Sequence, residues 1–152
     1  MAMAKTVRAP KRGTQTRPSE DTRPSGVRGF GEEATPFVAT LLEPDGFIAV
    51  DQVADAFRLT KFQLADILGL ARETLYKPSR AHAPKTQARL REMLEIISFV
   101  EDWCGGKLQA MAWYRAQAIP EFGGRTAESL VKSGYADAVR AHLDRIAMGG
   151  FA

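Results

Sequence analysis

From Phe37 onward, apolar residues return every three or four positions and never alternate over a convincing strand-length run. That spacing matches the 3.6-residue turn of an α-helix, whose apolar stripe must be buried against other elements. An all-α fold is predicted. The longest stripe is Leu90, Met93, Leu94, Ile97, Val100 and Trp103. It implies a helix from Pro84, a residue suited to a first turn, to about Trp103, where "CGG" breaks it. "PFVATLLEP" predicts a short helix stopped by Pro44, and Val50, Val53, Ala54 and Phe57 share one face of the next. Thr60 and Gln63 have capping-box spacing, opening a helix that carries Phe62, Leu64, Ala65, Ile67 and Leu68. Lys107 to about Ala116 forms a helix around Met111 and Trp113, and "IPEFGGR" reads as a loop. Thr126 caps a short helix with Glu128 in its first turn, and Gly134 separates it from a last helix with Val139, Leu143 and Ile146 on one face. Trp113 and Phe122 are predicted in the core.

The 152 residues suffice for one ordinary core or two small ones. Charge divides them further. Residues 1–31 hold seven Lys/Arg against Glu20 and Asp21, a local excess of +5 in a chain whose net charge is +3. The same stretch is rich in Pro, Gly, Ser and Thr, too poor in large apolar residues to offset the entropy of ordering. Residues 1–35 are therefore expected to be a disordered basic arm, read first as a solvated tail and second as a segment that attracts nucleic acid or an acidic partner through screened, sequence-blind attraction. The arm lacks the apolar segment of a secretory signal, no apolar run reaches membrane-spanning length, and Cys104 has no cysteine partner. Those features fit a cytoplasmic protein without a membrane association.

"QLADILGLARETLYK", Gln63 to Lys77, has the spacing of a tight helical corner. With Lys61 counted first, the fifth position is Ala65, small enough for close approach. The ninth is Gly69, able to turn sharply, and the fifteenth is Leu75, able to plug the crossing. These are the demands of a helix-turn-helix, assigned to residues 36–82. Its second helix is predicted from Ala71 to Lys77, ended by Pro78, with Ala71 and Leu75 facing inward. Arg72, Glu73, Tyr76 and Lys77 then face or flank the outside, where Arg pairs with guanine and Glu accepts from cytosine. Lys61, Gln63, Lys77 and Arg80 are candidates for phosphate contact, and Arg58, Lys85 and Arg89 would extend the basic rim. A structural helical hairpin without a duplex partner is the competing reading.

The carboxyl-terminal half is more specific. Ala112-Trp113, "FGGRT" at Phe122 to Thr126, Leu130, Gly134, Val139, Leu143, Ile146 and the closing Gly149 to Ala152 occur in a definite order. That order resembles the toxin-binding domain of Xre/MbcA/ParS-type antitoxins, partners of RES-domain toxins in bacterial type II modules. With the preceding helix-turn-helix, the resemblance spans about residues 47–152. Ala127 departs from it, the commoner form having proline after "GGRT". The resemblance implies a homodimer that binds its own operator DNA and masks a toxin acting on NAD. Residues 83–152 would be the toxin-binding and dimerisation domain. Arg145, Met148, Gly149, Gly150, Phe151 and Ala152 would face the toxin, at its NAD cleft. Physical chemistry agrees: two glycines permit close backbone approach, and a terminal Phe offers an apolar anchor.

No arrangement of residues suggests catalysis, a metal or a cofactor. His82 and His142 lack ligand spacing, Cys104 has no nearby base, and "CGGK" is too short for a phosphate loop. A non-enzyme is predicted. The competing functions are a stand-alone helix-turn-helix repressor and a protein-interaction module that never touches DNA.

Overall fold

Pro84 and Gly105 delimit the helix against which most other elements pack. The structure is a computed structural model describing residues 36–149. Expectations for the arm at residues 1–35, and for Gly150, Phe151 and Ala152, lie outside the described residues. In chain order the helices are α1 (Pro36–Ala39), α2 (Val50–Ala56), α3 (Lys61–Leu68), α4 (Pro78–Ala81), α5 (Pro84–Cys104), α6 (Lys107–Ala116), α7 (Ala127–Lys132) and α8 (Ala136–Ala147). Single 3-10 turns occur at Thr74–Tyr76 and Pro120–Phe122. The described chain is mostly helical, as the periodicity predicted.

α5 buries Leu90, Met93, Leu94, Ile96, Ile97 and Val100 against α6, α7, α8, α3 and α4. Gly105, at φ +93°, ends it in a left-handed turn, and Gly106 completes the reversal into α6. Trp103 departs from the expected stripe and is 51% exposed, its ring set edge-on to Phe99 at 5.5 Å. At 100° per residue, Trp103 lies about 130° from the stripe centred on Leu90 and Ile97. It lies off the stripe instead.

The amino-terminal turns are fixed by long-range bonds rather than by their own short helices. α1 is one turn, Leu42 and Ile48 pair across the "EPDGF" reversal, and Gln87 reaches that pair from α5. Its Oε1 accepts from the Ile48 N–H at 2.8 Å, and its Nε2 donates to the carbonyls of Ile48 (3.2 Å) and Ala81 (2.9 Å). Arg89, two residues further along α5, donates to the Leu68 carbonyl at the end of α3. Side chains from residues 83–152 thus bond back to residues 36–82.

The "IPEFGGR" segment is more ordered than a loop. Ala118 pairs with Thr126 and Ile119 with Arg125 in a two-residue antiparallel ladder, β1 (Ala118–Ile119) and β2 (Arg125–Thr126). Two residues per strand are too few for the alternation that reveals a strand in sequence. Phe122 and Trp113 are half-buried rather than in the core proper; that position belongs to Tyr114, which is fully buried.

Candidate functional site

The corner at Gly69 has the predicted geometry on its first side. Thr60 accepts the Gln63 N–H at 3.0 Å, and the Gln63 Oε1 accepts the Thr60 N–H at 2.8 Å, closing the capping box of α3. Ala65 is completely buried, Gly69 is left-handed at φ +72°, and Leu75 is buried. A Cβ on Gly69 would approach Lys132 Cγ to 3.0 Å and Arg89 Nη1 to 3.2 Å.

The second side differs. The continuous helix expected over Ala71 to Lys77 is a turn followed by one 3-10 turn, and Pro78 opens α4 instead of ending a helix. The reason is steric. The proline ring disfavours helical ψ at the preceding residue, and Lys77 accordingly sits extended at φ −110°, ψ 121°. The backbone then restarts with Pro78 in a first-turn position, where its missing N–H removes no helical bond. Ala71 is exposed, not inward-facing, because the segment that carries it is not helical.

All seven predicted duplex-facing residues fall within this corner and the helix that follows. Lys61 begins α3, with Nζ 2.8 Å from Asp51 and 5.0 Å from the centre of the Tyr76 ring. Gln63 gives its amide carbonyl to its own cap, which leaves the Nε2 amide, at an exposed position, as its donor for a phosphate oxygen. Arg72 lies at the surface with Nε and Nη2 at 3.4 and 3.3 Å from the Asp66 carboxylate. Glu73, Tyr76, Lys77 and Arg80 are all exposed. Between Arg58 and Arg89 there are seven basic residues against Asp66 and Glu73, whereas residues 32–57 contain six acids and no base. The formal charge is therefore concentrated in the stretch that forms the corner. Phe62 escaped the sequence reading: it is 45% exposed and stands 5.1 Å from Tyr76, edge to face. A helical wheel held the clue, since Phe62 falls beside Asp66, away from Leu64 and Leu68.

The carboxyl-terminal region has its own architecture. Arg125 secures the "FGGRT" turn to α7, donating from Nε to Ser129 Oγ at 3.0 Å. Its Nη2 donates to the Ser129 carbonyl at 3.0 Å and to Ser133 Oγ at 2.7 Å. Thr126 caps α7 by accepting the Ser129 N–H at 3.1 Å. Glu121, also in the turn, reaches α8: its carboxylate meets His142 Nδ1 at 2.8 Å and pairs with Arg145. The turn and the last helix are thereby clamped together by a residue that sequence reasoning had not singled out. Only the fold brings Glu121 to positions more than twenty residues away.

Beyond Arg145 the described chain ends on Met148, 86% exposed, and Gly149, at φ +87°. Both lie at the end of α8 with Arg145, so the predicted toxin-facing residues that are described share one location. Inside this region, burial pushes the Tyr114 phenol well above its ordinary range, with Glu128 and Glu92 adding and Arg89 opposing. Its hydroxyl has no hydrogen-bond partner among the described residues. Partial burial also raises the Cys104 thiol, which disfavours the thiolate. Among the described residues no three His, Cys, Asp or Glu side chains converge as a metal site, and no helix is long and apolar enough to cross a membrane.

Neither a curated protein nor a solved structure matches the chain. One family does, over residues 100–149: the antitoxin Xre/MbcA/ParS C-terminal toxin-binding domain. The matched span runs from the last turns of α5 to Gly149 and contains the Arg125 turn, α7 and α8; the corner at Gly69 lies before it. Residues 100–149, with these features in the order already read from the sequence, match the toxin-binding domain of the Xre/MbcA/ParS antitoxin family.

Proposed function

We propose that this protein is the antitoxin of a type II toxin–antitoxin module, working through two surfaces of a homodimer. At one, the carboxyl-terminal region covers the NAD cleft of a RES-domain toxin. At the other, the helix-turn-helix corner binds operator DNA and represses the antitoxin's own operon.

The family match over residues 100–149 supports a toxin-binding role for this region; the RES partner and its NAD cleft are what the resemblance read from the sequence implies. The end of α8 supports it chemically. Met148 offers an unsatisfied apolar side chain next to a left-handed glycine, and Arg145 is held at the surface by Glu121. An exposed ion pair is worth only about 0–1 kcal/mol, so Arg145 can exchange Glu121 for an acidic group on a partner at little cost. Gly150, Phe151 and Ala152, next in the sequence, are the proposed apolar plug. The second part is supported by the buried Ala65 and Leu75, the left-handed Gly69 and the basic excess from Arg58 to Arg89.

Co-expression with the operon neighbour tests the first part. The full chain is expected to restore growth and the cellular NAD pool, while the neighbour alone depletes it. A neighbour that is harmless, or toxic regardless of this protein, contradicts the proposal. A gel shift with the upstream promoter tests the second, with affinity expected to fall steeply as salt rises. Promoter binding without any toxin partner would instead identify a stand-alone repressor.

A further inference from the structure

Two aromatic rings meet on the outside of the corner, one from each side of it. Phe62 stands in the first turn of α3 and Tyr76 ends the 3-10 turn. Both are about half exposed, at 45% and 50%, while their neighbours Leu64, Ala65 and Leu75 are buried. The backbone therefore sends this apolar pair outward as it sends the core residues inward. The rings are not independent: their centres are 5.1 Å apart, edge to face, which orders each against the other. Lys61, itself tethered to Asp51, holds its ammonium 5.0 Å from the Tyr76 ring. Lys77 and Arg80 follow directly, and both are exposed.

Asp51 and Asp66 are already paired with Lys61 and Arg72, and Glu73 is the exposed acid nearby, so Lys77 and Arg80 leave the surroundings of the pair with a basic excess. An exposed aromatic pair in such a setting suits a partner that is anionic yet carries an apolar group within reach of the charge. Duplex DNA meets that description in its major groove. There the thymine C5-methyl is the apolar feature of the base edges, flanked by phosphates. We infer that Phe62 and Tyr76 together form a thymine-reading surface, packing on C5-methyl groups while the neighbouring cations engage the backbone. This rests on the reading of the corner as a DNA-binding element and adds to it a basis for sequence preference. Phe62 would contribute to specificity as much as the polar side chains of the corner.

The test compares two forms of the promoter fragment, one amplified with dTTP and one with dUTP. Uracil keeps the hydrogen-bonding edge and lacks only the methyl. The full-length protein is expected to bind the uracil fragment more weakly, by about fourfold for each methyl it covers, the equivalent of one buried carbon. Phe62→Ala and Tyr76→Ala should each reduce that difference, and Tyr76→Phe should keep it because the ring, not the hydroxyl, makes the contact. Arg72→Ala should weaken both fragments alike. Both aromatic positions are half exposed, so the variants should fold, which their urea unfolding checks. Equal binding of both fragments by the wild-type protein overturns the inference and leaves DNA binding standing. A thymine preference that survives Phe62→Ala and Tyr76→Ala also overturns it. No promoter binding at all removes the corner's assigned role along with it. Loss of toxin neutralisation by Phe62→Ala, with equal binding to both fragments, would give this face to a protein partner and refute the thymine reading.

Discussion

Gly69 meets two demands that no other residue meets together. Its left-handed backbone is costly for any side chain, and the space above its Cα is occupied by Lys132 and Arg89. Gly69→Ala is predicted to lower stability by about 1–2 kcal/mol from the backbone alone, read as an earlier urea midpoint. Lys132 and Arg89 can swing aside, so a loss far above that range would mean the corner is more rigid than its contacts indicate. Tyr114 makes the opposite case. Its buried hydroxyl has no described partner, so Tyr114→Phe should leave stability unchanged or raise it by about 1 kcal/mol. The pH dependence has a definite sign. The folded phenol ionises above the ordinary value of 10.0, so the folded state holds its proton more tightly than the unfolded chain. Tyr114's contribution is complete below that value and is lost as the pH rises beyond it. Thermal melts of the wild-type protein should decline above about pH 10 more steeply than those of Tyr114→Phe. Identical alkaline profiles would contradict this account of the residue.

At the scale of elements, what could be read from the sequence was what is decided locally. The capping box at Thr60, the Thr126 cap, and the ends of α5 and α6 rest on residues within a turn of one another, and the structure has them as predicted. Pro78 was misread because proline both stops and starts helices, and the choice depends on whether the preceding residue escapes to extended backbone, as Lys77 does. Trp103 was misplaced because a long stripe drifts around the helix. Long-range partners left no local trace: Glu121 finds Arg145, Phe62 finds Tyr76, and Gln87 finds Ile48 only once the helices have packed. Gln87 gives the sharpest prediction at this scale. It is 4% exposed and satisfies one N–H and two carbonyls at the junction of α5 with the amino-terminal turns. Gln87→Leu preserves bulk but strands those groups, and should cost about 2–4 kcal/mol in equilibrium unfolding. A neutral outcome would mean that these backbone groups find other partners.

For the whole molecule, charge and burial divide the work. The helical frame around α5 buries most of the apolar residues that periodicity assigned to it, Phe62 and Trp103 being exceptions, and residues 100–149 match an antitoxin toxin-binding domain. The basic corner and the carboxyl-terminal end are separate surface features of that frame, so a change confined to one should spare the other. Removing Gly149 to Ala152 deletes no residue of the described core. It should leave promoter affinity and unfolding midpoint unchanged within error. The account's central claim is that the protein acts by occluding a partner with its carboxyl-terminal end. The most direct measurement is the NAD content of cells co-expressing the proposed toxin partner with either the full chain or the chain ending at Met148. The full chain should preserve NAD and the shortened chain should let it collapse. Equal protection by both would contradict the claim.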